Sequence, residues 1–240
     1  MSAYNTQINA ARDKLLRSAS AGGTTTAITA TGPMIYNELW ATGTIDTTNL
    51  WQTTVAATGT VSTLTAGSLR VVRLNCPAGA DQARFGGQRK IVTPISPGTN
   101  YLYTRLTMEW SAILVNVANH ENANFIMGMG DEAAGATIDH RGANDALGFI
   151  LVSDALNTLT DSGGTETVTV VPSAPTLTNY NRYKIVIENG SVQFYVNKVL
   201  EVTHTTNIPA LPLKINFVVI SEAAVAAELR IGPLRCWLED

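Results

Sequence analysis

The sequence is short of charge, of cysteine and of long apolar runs, and each shortage narrows what the chain can be. Charged residues make up 15% of its 240 positions, against about 25% in an average soluble domain. A net charge of -3 leaves no excess of Lys and Arg to draw the chain to phosphate backbones, which argues against a nucleic-acid partner. The two cysteines, Cys76 and Cys236, match no metal-binding spacing. They are either two buried thiols or one bridge joining an early strand to the last. No apolar run approaches the ~20 residues that span a bilayer. The N-terminal stretch also lacks the apolar core of ~7–15 residues that marks a secretory signal. The expectation is a soluble chain, made inside a cell, unprocessed and without a membrane partner.

Catalytic and metal-binding patterns are scarce as well. There is no G-x-S-x-G elbow, no phosphate-binding Walker loop and no H-E-x-x-H. His120, His140 and His204 have no second ligand at metal spacing, so each reads as a surface or loop histidine. Gly86-Gly87-Gln88-Arg89-Lys90 offers amides and two cations, but no helix follows it. It reads as a surface turn, with anion binding as the alternative. No cofactor is expected.

What fills the gap left by charge is threonine, dense in Thr24–Thr31, Thr42–Thr48 and Thr53–Thr65. Its β-branch suits a half-buried pleated surface, and its hydroxyl keeps that surface wettable. A chain of this length folds as one large β domain and buries roughly 70–75% of its unfolded surface. Asn5 to Ser18 carries the single clear helical pattern, with Ile8, Ala11, Leu15 and Leu16 on one side. Ser20-Ala21-Gly22-Gly23 then breaks it. So short a helix is marginal alone. Ile8, Leu15 and Leu16 are therefore candidate assembly residues, docking on the chain's own domain or on a neighbouring subunit. Residues 1–34 form this arm, and residues 35–240 the β domain.

From Ile35 onward, runs of alternating residues are separated by Gly, Pro, Asn and Asp turns. Leu102, Leu106, Met108, Trp110 and Leu114 alternate with Tyr103, Arg105, Thr107, Glu109 and Ser111, which places one face on a core and the other toward water. Tyr183 to Glu188 and Ser191 to Asn197 flank Asn189-Gly190, the strongest short-range hairpin signal. Their alternation assigns Ile185, Ile187, Phe194 and Val196 to one buried layer, joined by Ile215 and Phe217. Lys184, Glu188, Gln193 and Lys214 then face outward. The fold class is all-β: an antiparallel two-sheet sandwich with a short N-terminal helical arm.

The run YNRYKIVIENGSVQFYVNKVLEVT, followed by LPLKINFVVIS and AELRIGPLRCWLED, resembles the late strands of the concanavalin A-like lectin and laminarinase jelly rolls. NDALGFILVSD resembles the strand before them, and Lys198 stands where that family has Gly. The resemblance is specific from Leu147 to Trp237. It implies a jelly-roll fold, and a fold does not fix a function.

Many enzymes of that superfamily use two carboxylates on one strand, which must sit two residues apart to share a face. No Asp or Glu here is followed by another two positions on, which argues against glycan cleavage. The loop holding Asp131, Asp139, Asn144 and Asp145 remains a candidate site for sugar or calcium, because oxygen-rich loops serve lectins this way. Asp and Asn are also ordinary turn residues. Trp40, Trp51, Trp110 and Trp237 could stack on sugars; Trp110 and Trp237 fit core positions better.

Two functional expectations follow. WQTTVAATGTVSTL joined to a lectin-like jelly roll resembles surface proteins of bacteriophage particles, such as capsid-decoration or tail-associated modules. That reading implies a homo-oligomer bound to a capsid or other virion protein. The other expectation is a carbohydrate-binding lectin domain whose partners are glycans.

Overall fold

The computed structural model describes residues 34–38, 45, 47, 50–66, 69–77, 82–88, 91, 104–115, 123–131, 145–152, 154–188, 190–209, 213–221 and 226–239. By compactness the chain divides into residues 1–30 and 31–240. The helix read over Asn5 to Ser18, with Ile8, Leu15 and Leu16, lies outside the described residues, as do Trp40, His120 and His140.

The described part is built of strands. The first five are β1 (Met34–Glu38), β2 (Trp51–Ala56), β3 (Thr60–Ala66), β4 (Leu69–Cys76) and β5 (Gln82–Gly87). Then come β6 (Arg105–Val115), β7 (Ala123–Gly130), β8 (Ala146–Val152), β9 (Ala155–Ser162) and β10 (Thr165–Val170). The last are β11 (Asn181–Glu188), β12 (Ser191–Val196), β13 (Val199–His204), β14 (Lys214–Ser221) and β15 (Ala227–Glu239). An eight-stranded sheet runs β13-β12-β11-β6-β15-β4-β3, with β1 also on β15. A seven-stranded sheet runs β10-β9-β8-β7-β14-β5-β2. Every ladder is antiparallel.

Local sequence sets these elements. The β11–β12 hairpin pairs Ile185 with Phe194 and Ile187 with Val192, as the Asn-Gly turn requires. The β12–β13 turn uses Asn197 and Lys198 at φ 51° and 74°, so it keeps the left-handed geometry with Lys in place of Gly. In β15, Gly232-Pro233 falls where the register shifts between Ile231 and Leu234. A proline there fits a bulge, since it has no amide for the ladder. The bulge marks the point where β15 changes neighbour, from β4 up to Ile231 to β1 from Leu234 on.

Between the sheets lies the main core. Ile185, Ile187, Phe194, Val196, Ile215 and Phe217 all belong to it, as the alternation required. Lys184, Glu188, Gln193 and Lys214 are half-buried on the opposite faces. Trp110 stands at its centre, 5.7 Å from Tyr183, 6.0 Å from Phe149 and 5.7 Å from Phe217 between ring centroids. Trp51 stacks on Phe85 at 4.4 Å; Trp51 and Trp110 belong to this core, whereas Trp237, 7% exposed, pairs with Thr107 and lies on the outer face of the eight-stranded sheet. Cys76 and Cys236 are buried and form no disulfide, and the Cys76 thiol donates to the Val219 carbonyl at 3.3 Å.

Two expectations are corrected. Gly86 and Gly87 belong to β5 and are buried rather than turning at the surface; Arg89 and Lys90 lie outside the described residues. His204 ends β13 and is 3% exposed, because hydroxyls from the other sheet give its ring nitrogens partners. On β14 the outward-facing Asn216 and Val218 are also covered, at 1% and 0% exposed. The outer face of the seven-stranded sheet carries its own apolar cluster, Ile126, Ala146, Ile150, Leu159 and Val218. The middle strands of that sheet are buried on both faces, as the near-continuous apolar runs of β7, β8 and β14 permit.

Candidate functional site

Register arranges the outer face of the seven-stranded sheet into three rows that run across the strands. The first is Thr54, Arg84, Val218, Ile126, Ile150, Asn157 and Val170. Its middle is aliphatic and buried, and the Arg84 guanidinium, itself 5% exposed, donates from Nε to Asn216 Oδ1 at 2.9 Å.

The second row is Gln52, Gly86, Asn216, Gly128, Gly148 and Leu159. Its glycines are there for space. A Cβ on Gly86 would stand 3.1 Å from the Ile215 carbonyl oxygen and 3.3 Å from the Arg84 guanidinium. A Cβ on Gly128 would collide with the Leu147 carbonyl, and one on Gly148 would come within 2.5 Å of the Met127 carbonyl. The glycines let Arg84 lie flat on the sheet and let β7 and β8 approach closely.

The third row is Lys214, Gly130, Ala146, Asp161 and Glu166. It contains the acidic pair that a search for carboxylates two residues apart could not find. Gly163 and Gly164, both at positive φ, make a two-residue turn, so Asp161 and Glu166 are opposite each other across β9 and β10. Cross-strand partners share a face with Cβ atoms roughly 5 Å apart.

Asp161 is 0% exposed, and its Oδ1 accepts the Gly164 amide at 3.0 Å. Asp145 Oδ1 accepts the Gly163 amide at 3.0 Å. The Asp131 amide donates to the Asp145 carbonyl at 2.7 Å. This bond draws together the two ends of the loop read as a ligand site. Asp131, Asp145, Asp161 and Glu166 therefore meet at one end of the sheet, while Asp139 and Asn144 lie outside the described residues. Two of these carboxylates cap the β9–β10 turn, which is a structural use. Among the described residues no group of three or more His, Cys, Asp or Glu side chains has metal-binding geometry.

The eight-stranded sheet presents charge instead. Arg105 pairs with Glu239 at 3.2 Å and Glu188 at 3.6 Å, and Arg182 pairs with Glu109. Lys184 lies 3.8 Å over the Tyr195 ring. Glu228, 3% exposed, is held by Arg73 at 2.6 Å and Arg230 at 2.5 Å. Glu109, Glu188, Glu228 and Glu239 thus each have a cation, and every one of these pairs but Arg230–Glu228 runs across strands.

No protein-family model and no curated protein sequence matches the chain. Solved structures do match in shape. A Bacteroides ovatus glycoside hydrolase of family 16, in complex with a mixed-linkage glucan product, has a TM-score of 0.59 at 11% identity. That match covers 84% of this chain and 99% of the other. The Emp46p carbohydrate recognition domain matches at a TM-score of 0.55 and 10% identity, over 78% of this chain and 88% of that one. The binding domain of botulinum neurotoxin DC, solved with rat synaptotagmin II, gives 0.58 and 10%, over 86% of this chain and 48% of that one. The chain thus spans about half the length of the neurotoxin domain. At these identities the likeness is one of fold alone: the chain shares an antiparallel two-sheet sandwich with these domains.

Proposed function

We propose that this chain is a non-enzymatic structural protein of a virus particle, of the capsid-decoration or tail-associated kind found on bacteriophages, acting by assembly and surface contact. The observation that carries this reading is the filled outer face of the seven-stranded sheet. A saccharide cleft needs an open concave surface, aromatic platforms and a few convergent polar groups. Here Arg84, Ile126, Ile150, Asn157, Leu159, Asn216 and Val218 are all at or below 5% exposure. Among the described residues of that face there is no aromatic side chain. A face packed this way supports a scaffold rather than a cleft. The threonine-rich, weakly charged composition and the N-terminal arm support a role in an assembly, where many weak contacts add.

The second reading is a carbohydrate-binding domain. It is favoured by the acidic corner at Asp131 and Asp145, where the ends of an oxygen-rich loop are held together, and by a fold shared with a carbohydrate recognition domain. The two readings separate on a panel of immobilised glycans, with and without calcium, together with incubation on mixed-linkage β-glucan. The structural reading expects no retention and no released sugar. Retention lost in Asp131→Asn or Asp145→Asn would favour the lectin. Turnover lost in Asp161→Asn or Glu166→Gln would overturn the non-enzymatic assignment.

A further inference from the structure

On one flank of the sandwich the two sheets end in free edges, β13 of the larger sheet and β10 of the smaller. His204 joins them. Its Nδ1 lies 2.9 Å from Thr160 Oγ1, and its Nε2 lies 3.1 Å from both Thr158 Oγ1 and Thr169 Oγ1. The ring packs edge-on to Phe194, with centroids 5.1 Å apart.

The surrounding bonds define its tautomer. Thr160 Oγ1 donates to the Thr206 carbonyl at 3.1 Å, so toward the ring it accepts, and Nδ1 carries the proton. Thr158 Oγ1 donates to the Thr169 carbonyl at 3.2 Å. That leaves the Thr169 hydroxyl to donate to Nε2. A neutral imidazole is then satisfied by Thr160 at Nδ1 and by Thr169 at Nε2, while Thr158 Oγ1 faces Nε2 as a second acceptor.

What an imidazolium lacks here is a counter-charge. Among the described residues no charged group faces the ring. Asp161 and Glu166 lie on the opposite face of the seven-stranded sheet, Glu201 accepts the Ser173 amide at 3.1 Å, and the Thr206–Thr167–Asn207 bonds that close the flank are neutral. Gln193 and Tyr195 of β12 lie on the outer face, and Lys198 is in the β12–β13 turn. A second proton on the ring would find an acceptor in the Thr158 hydroxyl, but it would be enclosed without a counter-charge, and Thr169 would lose its acceptor.

We infer that His204 is an acid-sensitive latch: neutral, it ties β13 to β9 and β10, and its protonation loosens this flank of the sandwich. The edges it would release already expose Val168 at 38%, Val170 at 57%, Val199 at 58% and Leu200 at 49%.

Burial holds the imidazole below its ordinary value of 6.5. The folded state thus binds the proton less well than the unfolded one. Stability from this site is complete above pH 6.5 and is lost as pH falls from there through the folded value. One proton limits the effect to about tenfold in the opening constant per pH unit.

The test is amide hydrogen exchange on the intact chain and on His204→Gln between pH 7.5 and 4.5, corrected for intrinsic exchange. It is paired with NMR titration of the imidazole in the unmodified chain. The expected result is an opening constant for β10 and β13 amides that rises on acidification in the unmodified chain and stays flat in the variant. The ring should appear as the Nδ1–H tautomer and titrate below 6.5. Identical pH dependence in the two chains would overturn the latch. If His204→Gln fails to fold, the titration decides alone: a midpoint at or above 6.5, or the Nε2–H tautomer, rejects it.

Discussion

Lys198 holds a left-handed backbone at φ 74° beside Asn197 at φ 51°. A side chain in that region costs about 1–2 kcal/mol, which glycine avoids at some entropic expense in the unfolded state. Lys198→Gly should therefore stabilise the chain by about 0.5–1 kcal/mol, read as a higher urea midpoint with unchanged slope. The reverse holds where space rather than φ is limiting. Gly128→Ala sets a methyl against the Leu147 carbonyl and should cost about 1–3 kcal/mol or block folding. At the centre of the main core, Trp110→Ala should cost about 3–5 kcal/mol in the same titration. Trp110 was legible as a core residue from alternation alone. His204 was not, because its hydroxyl partners are 35 to 46 positions away in sequence and belong to the other sheet.

Strands differ in how openly they announce their faces. β6, β11 and β12 have one wet face, so polar and apolar residues alternate and register can be read directly. β7, β8 and β14 are buried on both faces, and runs such as Ile215 to Ile220 lose the alternation that would mark an inside. Val218 illustrates the difference. A strict two-residue period puts it at the surface, where truncation would be nearly silent, yet it is 0% exposed. Val218→Ala should cost about 1.5–3 kcal/mol, close to the cost of truncating its inner neighbour Val219. Equal stability of Val218→Ala and the parent chain would contradict a covered outer face. The Asp161–Glu166 pair was legible in principle: a Gly163-Gly164 turn fixes which residues oppose one another across a hairpin. Searching for same-face carboxylates along single strands alone missed it.

Across the whole molecule, the sandwich, its antiparallel pairing and its central core follow from patterning that the sequence carries openly. The acidic corner was legible at Asp131 and Asp145, while its partners on β9 and β10 depend on long-range register. Function follows less directly, because the same fold supports a glucanase, a carbohydrate recognition domain and a toxin binding domain. We propose assembly, with its own copies and with a larger particle, rather than turnover, as the way this chain works. Sedimentation equilibrium of the intact chain over a hundredfold range of concentration tests it most directly. The account predicts a defined symmetric oligomer that dissociates on dilution. A single monomeric species across the whole range would contradict it.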